Sequence, residues 1–442
     1  MAMNQFQLLK TRRFYPVFAT QFLGALNDNI YKNSLVILIA FSLADRLHGN
    51  SSILVIVAAG IFILPFFLFS AVAGQFADKF EKSLLIQRIK IAEIIIMCMA
   101  AAGFILTSVV LLMLVLFLMG TQSTMFGPLK YGILPQHLEE SELIGGNGMI
   151  QMGTYLAILM GTILGGILIA IKPEGRYIVS VIVITVAGLG WLASRLIPEA
   201  KAPEPGLVIN WNIITETMNI IRFARENRTV FWCIIAISWF WFYGATFLSL
   251  MPSYTRDVLV GDEHVATLLL TAFSVGIGSG SLLCEKLSRK RIEMGIVPLG
   301  AIGLTLFALD LYFAGAPQYP AGGVEMTATM FISHLYSWRV LIDLSLLGAF
   351  GGLFIVPLYA LVQNLSDVHH RARIIAANNI LNALFMVFSA ILTILLITMH
   401  ITITGIFMLI SLLNVIVVGV IVYRIPDFMY RFRIILRLKK SA

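Results

Sequence analysis

The chain has 442 residues, of which 59% are hydrophobic and only 12% are charged, whereas an ordinary soluble domain is roughly 25% charged. This composition excludes a soluble globular enzyme, because the apolar residues form stretches of the length that a membrane-spanning helix needs, about 20 residues. The formal net charge is +8, from 31 Lys and Arg against 23 Asp and Glu, and its meaning depends on where the basic residues lie.

Twelve apolar segments, separated by charges or by clusters of Gly and Pro, predict an all-α membrane protein with twelve transmembrane helices. The segments are 14–43, 50–75, 84–106, 109–129, 144–171, 177–197, 229–255, 265–284, 294–314, 339–364, 374–398 and 402–423. The polar interval between the sixth and seventh segments contains a stretch, 211–227, whose pattern predicts a surface helix. The predicted organisation is an N-terminal six-helix bundle at 1–197, a cytoplasmic linker at 198–228, a C-terminal six-helix bundle at 229–424 and a basic tail at 425–442.

The basic residues predict the orientation in the membrane. If both termini are cytoplasmic, 25 of the 31 Lys and Arg fall on the cytoplasmic side and five on the opposite side, with Lys32 inside the first span. Lys and Arg are enriched in cytoplasmic loops. The sequence therefore predicts a multi-pass protein with both termini in the cytoplasm, whose basic tail lies on an anionic leaflet.

Several functions are not indicated by the sequence. It contains no GxxxxGK[ST] or GxGxxG motif, so no nucleotide or other cofactor is expected. Neither a nucleophile–base pairing nor the ligand spacing of a metal site is present, so an enzyme is not expected either. No RNA- or DNA-binding module surrounds the basic residues, and no nucleic-acid partner is expected.

The two halves of the chain repeat each other. The segments 74–82 and 280–291, which follow the second and eighth spans, each have a glycine, then an acid followed directly by lysine, then more basic residues. Internal repeats of this kind are typical of secondary transporters, in which the substrate site lies near the middle of the membrane between the halves. The repeat predicts two pseudo-symmetric six-helix bundles.

The segment 74–82 resembles the loop signature of the major facilitator superfamily. QFLGALNDN at 21–29, FGPLKYGIL at 126–134 and the segment 147–166 resemble the lysophospholipid transporter (LplT) branch of that superfamily. This closer resemblance covers the N-terminal half, and the C-terminal half is similar in architecture. It implies alternating-access movement of lysophosphatidylethanolamine and lysophosphatidylglycerol from the outer to the inner leaflet of the bacterial inner membrane.

The resemblance also implies a partner. In the family a cytoplasmic acyltransferase restores the missing acyl chain, and many relatives carry that enzyme fused at the C-terminus. Because this chain stops at Ala442, a separate acyltransferase is expected, together with contacts to membrane lipids. The transporter itself is expected to be a monomer.

Asp28 is the most informative candidate site residue, because an ionisable group inside a span is costly and is by default a functional hypothesis. Gln21, Asp28 and Lys32 share one helix face. The carboxylate suits the ammonium of a phosphoethanolamine headgroup and the lysine suits its phosphate. Asn29 is expected to reach the substrate if the helix is broken here. The alternative is that Asp28 and Lys32 form an ion pair that holds the helix in place.

Lys130 and Tyr131 follow Pro128, where the fourth span is expected to bend or end. They are expected to guide the phosphate at the inner mouth. Alternatively, Lys130 forms an ion pair with Asp78 or Glu142 that holds the inner gate, or it simply snorkels to the membrane interface. Trp239 and Tyr243 in the seventh span are expected either to form an apolar wall for the acyl tail or to serve packing.

Four residues are expected to act in gating: Gly74, Asp78, Lys82 and Asn147. Asp78 is expected to contact a helix N-terminus or a basic partner in one conformation only. Two ion pairs are also predicted from helical spacing, Lys90 with Glu93 and Arg339 with Asp343.

Two other functions remain open from the sequence. One is proton-coupled transport of another amphiphile or a siderophore, with Asp28 as the proton site. The other is a non-transporting scaffold for a lipid-modifying enzyme.

Overall fold

The computed structural model describes residues 4–39, 51–314 and 326–438. Within these ranges the chain is almost wholly helical, with a π-helical turn at Tyr254–Val258. The helices are α1 (Gln5–Leu8), α2 (Tyr15–Ile37), α3 (Ser51–Lys79), α4 (Lys82–Leu106), α5 (Val109–His137), α6 (Glu140–Ala170), α7 (Gly175–Ser194), α8 (Ile213–Glu226), α9 (Arg228–Ser253), α10 (Glu263–Ser288), α11 (Ile296–Ala314), α12 (Ala328–Ser333), α13 (Leu335–Leu365), α14 (Arg371–Thr398), α15 (Ile403–Arg424) and α16 (Pro426–Leu438).

Eleven of the described helices are long and apolar enough to cross a membrane: α3 to α7, α9 to α11 and α13 to α15. α2 is more polar, but it is the twelfth spanning helix because it runs alongside α6 over most of its length. Gln21 accepts a hydrogen bond from Thr154 at 3.0 Å, and Ser34 donates one to the carbonyl of Gly165 at 3.0 Å. The residue numbers of these contacts increase along both helices, from Gln21 with Thr154 to Ser34 with Gly165, so the two helices are parallel.

The spanning helices form two bundles with matching neighbours, as the internal repeat predicts. In the first bundle α2 packs on α6, α3 on α5, and α4 on both α5 and α7. In the second bundle α9 packs on α14, α10 on α13, and α11 on both α13 and α15. The bundles meet through α3 with α14 and through α6 with α10. The prediction of twelve spanning helices in two pseudo-symmetric bundles is confirmed.

Glycines allow the closest helix contacts. Gly348 and Gly352 are four residues apart on α13 and face α10, where Gly276 and Gly280 have the same spacing. A Cβ atom at Gly352 would lie 2.5 Å from the backbone nitrogen of Ser281. Helices in a membrane associate through such small residues because lipid gives little hydrophobic drive for association.

Both ends of the described chain lie at the same end of the bundles, called here the terminus side. The α1 backbone at Gln5 bonds to Glu285 near the end of α10, and α16 packs on the start of α11, where Phe432 and Ile435 lie against Gly295. Since α10 ends and α11 begins at the same loop, the two chain ends share one side. Residues 439–442 of the predicted basic tail lie outside the described residues.

The linker contains the predicted surface helix, α8. Asn212 caps it by accepting a hydrogen bond from the backbone of Thr215 at 3.1 Å. The side chains of Glu216 and Ile220 are buried, whereas Ile214 and Met218 are 71% and 66% exposed. Ile214 and Met218, which lie four residues apart in the sequence, therefore face away from the bundles.

Candidate functional site

A buried charged cluster lies inside the N-terminal bundle, between α2, α4 and α5. The ammonium of Lys90 lies 2.6 Å from Glu93, which confirms the predicted pair. Glu93 also accepts hydrogen bonds from Asn27 at 3.1 Å and from Gln122 at 2.9 Å. One carboxylate thus joins all three helices.

Asp28 lies beside this pair and is half-buried. Its Oδ2 accepts a hydrogen bond from the hydroxyl of Ser123 at 2.7 Å, and its buried Oδ1 has no hydrogen-bond partner among the described residues. The carboxylate therefore has one oxygen available to a ligand.

Lys32 does not form the alternative ion pair with Asp28. Its ammonium lies over the ring of Phe62, 4.4 Å from the ring centre, and no salt bridge joins the two side chains in the described part of the chain. A cation on an aromatic face is attracted by the ring quadrupole, which is a weaker partner than a carboxylate. The half-buried lysine therefore has no direct carboxylate contact among the described residues.

Lys130 and Tyr131 are not at a helix end, which corrects the prediction. α5 continues through Pro128 and Pro135 to His137. Proline is tolerated inside membrane helices because neighbouring groups satisfy the freed backbone. Lys130 is therefore inside the bundle, about two turns before the end of α5.

The ion pairs proposed for Lys130 are also absent from the described residues. Its ammonium lies 4.6 Å from the centre of the Tyr131 ring, Asp78 pairs with Arg373 at 3.1 Å, and Glu142 pairs with Arg13 at 2.6 Å. Lys32, Lys90 and Lys130 all interact electrostatically with Asp28, so the cluster of the N-terminal bundle holds three ammonium groups against the carboxylates of Asp28 and Glu93.

An aromatic layer lies between Asp28 and the terminus side. The rings of Tyr131 and Tyr359, from different bundles, stack with centres 4.4 Å apart. Trp241 donates a hydrogen bond to the Tyr359 hydroxyl at 3.2 Å and stacks on Tyr155 at 6.5 Å. Ser123 lies eight positions before Tyr131 on α5, about 12 Å along the helix. Asp28 is therefore on the far side of the layer.

Gln21 and Asn29 do not face the charged cluster. Besides Thr154, Gln21 contacts the carbonyl of Ile150 at 3.4 Å, so it joins α2 to α6. Asn29 donates to the carbonyl of Ala25 in its own helix at 2.7 Å. α2 is unbroken at this point, so the condition under which Asn29 was expected to reach the substrate is not met.

Trp239 and Tyr243 lie in the interior of the C-terminal bundle, which favours the packing alternative. Trp239 donates to the side chain of Asn414 at 2.8 Å, and Tyr243 donates to the carbonyl of Leu304 at 2.8 Å. Trp241, which sequence reasoning missed, faces the other bundle instead. The alternation of aromatic residues in α9 gave no signal of which face meets the N-terminal bundle.

The predicted gating residues lie where the bundles meet on the terminus side. Asp78 accepts hydrogen bonds from the backbone of Ala372 at 3.2 Å and from the side chain of Arg373, which also pairs with Glu204 of the linker. A Cβ atom at Gly74 would lie 2.9 Å from the Cα of Arg373. Arg373 and Glu204 could not be predicted from the sequence, because their partners are distant in the chain.

Asn147 and Lys82 occupy the same region. Asn147 and Gln363 exchange two hydrogen bonds across the bundles, at 2.6 Å and 3.1 Å. Lys82 is 2% exposed and its ammonium has no described hydrogen-bond partner. The inter-bundle contacts named here, from Asp78 to Trp241, all lie on the terminus side of the charged cluster, so this side is closed.

The other predicted ion pair is wrong in its partner. Arg339 pairs with Asp310 of α11 at 2.6 Å, and not with Asp343 of its own helix.

Among the described residues, no group of three His, Cys, Asp or Glu side chains is arranged to hold a metal ion.

Comparisons with known proteins agree with this architecture. The Major Facilitator Superfamily model matches residues 17–332. Lysophospholipid transporter LplT of Photorhabdus laumondii is 26% identical over 366 residues, which covers 81% of each chain. Lysophospholipid transporter LplT of Escherichia coli is 27% identical over 357 residues, 78% of this chain and 79% of that protein.

Solved structures share the fold. The human organic anion transporter MFSD10 superposes with a TM-score of 0.70 at 13% identity, covering 93% of this chain and 99% of that one. The fucose:proton symporter FucP of Escherichia coli gives a TM-score of 0.67 at 14% identity, covering 93% and 98%. With twelve spanning helices in two bundles and a superfamily match over most of its length, the chain belongs to the major facilitator superfamily and is a membrane transporter.

Proposed function

We propose that this transporter moves lysophospholipids, mainly lysophosphatidylethanolamine and lysophosphatidylglycerol, from the outer to the inner leaflet of the bacterial inner membrane. The observation that carries the proposal is the half-buried set of Asp28, Lys32 and Lys130, whose charges have no ion-pair partner among the described residues. Burying an unpaired charge is costly, so charges kept in this state indicate a ligand that pairs with them. The similarity to relatives named lysophospholipid transporter LplT supports the same substrate class.

The chemistry of the headgroup matches the cluster. A phosphoethanolamine group carries one ammonium and one phosphate. The free Oδ1 of Asp28 suits the ammonium, while Lys32 and Lys130 suit the phosphate oxygens. The excess of ammonium groups over carboxylates in the cluster favours an anion, which fits the phosphate that both proposed substrates carry.

The closed terminus side supports the proposed direction of movement. The pair of Asp78 with Arg373 and the aromatic layer of Tyr131 and Tyr359 lie between Asp28 and the terminus side, so the headgroup would enter this state from the opposite side. If the termini are cytoplasmic, as the basic residues indicate, entry is from the outer leaflet. Opening of the terminus side would then release the headgroup to the inner leaflet, where a separate cytoplasmic acyltransferase would use it. The transporter would act as a monomer.

The test is leaflet movement in proteoliposomes. Fluorescent lysophosphatidylethanolamine is placed in one leaflet, and the fraction that albumin can no longer extract is followed in time, with and without a proton ionophore. Diacyl phosphatidylethanolamine with the same label serves as the control substrate. Faster protection of the lysolipid, but not of the diacyl lipid, is expected relative to empty liposomes. Equal rates in liposomes with and without the protein would overturn the proposal, and loss of transport with ionophore would indicate proton coupling.

A further inference from the structure

A cleft of about 560 Å³ lies on the terminus side between α1 and the end of α10. The backbone of Gln5 donates to both carboxylate oxygens of Glu285 at 3.2 Å, and its side chain donates to the carbonyl of Leu282 at 2.9 Å. α1 packs on α6 of the N-terminal bundle, whereas α10 belongs to the C-terminal bundle. One wall of the cleft therefore comes from each half of the transporter.

The cleft is strongly basic. Lys286, Arg289 and Lys290 line it, and its one acidic side chain, Glu285, is already bonded to the backbone of Gln5. Lys286 and Arg289 are exposed, and neither has an ion-pair partner within residues 4–39, 51–314 and 326–438. Glu285 also interacts electrostatically with Lys290, so the exposed Lys286 and Arg289 are the cations that attract an anion.

The apolar part of the cleft continues into a surface that faces lipid. Leu283 and Phe6 line the cleft and are 43% and 52% exposed. Further along the same face of α10, toward the middle of the bundle, Val275 is 59% exposed. An acyl chain can follow this face while its headgroup stays at the basic residues. A free phosphate would use only the basic end of the cleft, so a lipid fits both parts better.

We propose that this cleft binds an anionic diacyl phospholipid of the surrounding leaflet, at a site separate from the transport cluster. Basic pockets between membrane helices are suited to anionic headgroups. Because the walls belong to different bundles, a bound lipid holds α1 against α10 and stabilises the state that is closed on the terminus side. The lipid composition of the membrane thereby regulates how readily the transporter opens.

Binding is tested by native mass spectrometry of the full-length protein titrated with phosphatidylglycerol or phosphatidylethanolamine. The variant Lys286→Gln/Arg289→Gln/Lys290→Gln is compared with Arg222→Gln/Arg225→Gln/Arg228→Gln, which removes three basic residues of the linker region on the same side. Wild type and the linker variant are expected to bind phosphatidylglycerol at least tenfold more tightly than the cleft variant, in line with the strength of surface lysines and arginines on anionic lipid. Equal affinities of the two variants would overturn the proposal.

Three further measurements distinguish this lipid site from the transport cluster and from a site for free phosphate. Asp28→Asn is expected to leave phosphatidylglycerol binding unchanged, and a loss would place the lipid in the transport cluster instead. Competition by glycerol 3-phosphate as strong as that by the lipid would identify a free-phosphate site and overturn the lipid assignment. The single variant Lys286→Gln changes an exposed residue and should not disturb folding, and it is also expected to weaken phosphatidylglycerol binding. Unchanged binding in both the single and the triple variant would contradict the proposal.

Discussion

Arg373 and Asp78 are 295 positions apart in the sequence, yet the Nε of the arginine lies 3.1 Å from Oδ2 of the carboxylate. The arginine lies in the first turn of α14 of the C-terminal bundle, and the aspartate lies in the last turn of α3 of the N-terminal bundle. Both side chains are almost completely buried, with 5% and 0% of their surfaces exposed. The contact predicted for Asp78, a helix N-terminus or a basic partner, is present in both forms, and its role in gating stays a prediction.

Removing the arginine is expected to open the terminus side. In Arg373→Ala the buried carboxylate of Asp78 loses its partner across the bundles, and leaving one member of a buried pair uncompensated costs about 3–5 kcal/mol. Spin labels at Glu139→Cys, which caps the N-terminus of α6, and at Leu287→Cys on α10 are expected to show a longer distance population in a cysteine-free background. Arg424→Ala, which removes an exposed arginine near Trp232, is the control. The same distance distribution in Arg373→Ala and the control would exclude a gate at this pair.

Removing one charge of the buried pair of Lys90 and Glu93 is expected to destabilise the protein more than removing both. Glu93→Gln leaves the Lys90 ammonium uncompensated inside the bundle, so the melting temperature of the purified protein is expected to fall strongly, by the equivalent of about 3–5 kcal/mol. The double variant Lys90→Met/Glu93→Leu removes both charges and is expected to melt above Glu93→Gln. A double variant that is less stable than Glu93→Gln would contradict this assignment.

Trp239 and Trp241 of α9 are expected to differ in what they do. Trp239→Phe leaves the buried side chain of Asn414 without its donor, at a cost of about 1–3 kcal/mol, so the melting temperature falls while the KM for substrate stays unchanged. Trp241→Phe removes the hydrogen bond to Tyr359 within the C-terminal bundle and changes the stacking on Tyr155 of the N-terminal bundle, so transport kinetics change with little loss of stability. A change of KM in Trp239→Phe, with none in Trp241→Phe, would reverse the two roles.

The attachment of the linker is expected to weaken in acid. Burial acts to raise the pKa of the Glu81 carboxyl, but hydrogen bonds from the backbone of Ala200, Leu84 and Ser83 outweigh it and hold the pKa below its ordinary value of 4.5. A lowered folded-state pKa means that this stabilisation is present above the ordinary pKa and is lost as the pH falls through the folded-state value.

Limited proteolysis of the linker measures this effect. Cleavage of the wild-type protein is expected to increase as the pH falls below about 4.5, when an acid-active protease is used. Glu81→Gln is expected to be cleaved faster at neutral pH and to show a smaller increase in acid. An identical pH profile in the two proteins would show that Glu81 does not anchor the linker.

Most of the fold follows from the sequence because the membrane imposes a simple length rule on apolar segments. The length rule does not identify α2 as a spanning helix, because the described part of α2 is too polar. The contacts of α2 with α6 along its length show that it spans the membrane. The sequence also predicts an end of α5 that is too early, near Pro128, whereas the helix continues to His137. A proline breaks a helix in water more readily than in a membrane, where neighbouring helices satisfy the freed backbone groups.

The candidate site was harder to predict, because helical spacing shows which side chains share a face of one helix but not which residues of other helices they contact. Asp28 and Lys32 share a helix face, yet one meets Ser123 and the other meets Phe62. Trp239 and Trp241 are equally aromatic, and only the packing of α9 shows which one reaches the other bundle. Pairs such as Asp78 with Arg373 join distant parts of the chain, and a single sequence carries no signal for them.

The most direct measurement is the initial rate of lysophosphatidylethanolamine transfer in proteoliposomes for Asp28→Asn, Lys130→Gln and Gly188→Ala. The last variant is the matched control, since a Cβ atom at Gly188 meets no atom within 4 Å. If the charged cluster binds the headgroup, both charge variants have a higher KM and transfer the lipid at least roughly tenfold more slowly, as the loss of a charged contact of about 1.5–3 kcal/mol predicts, whereas the control transfers it at the wild-type rate. Wild-type transfer by both charge variants would contradict the assignment of the headgroup site.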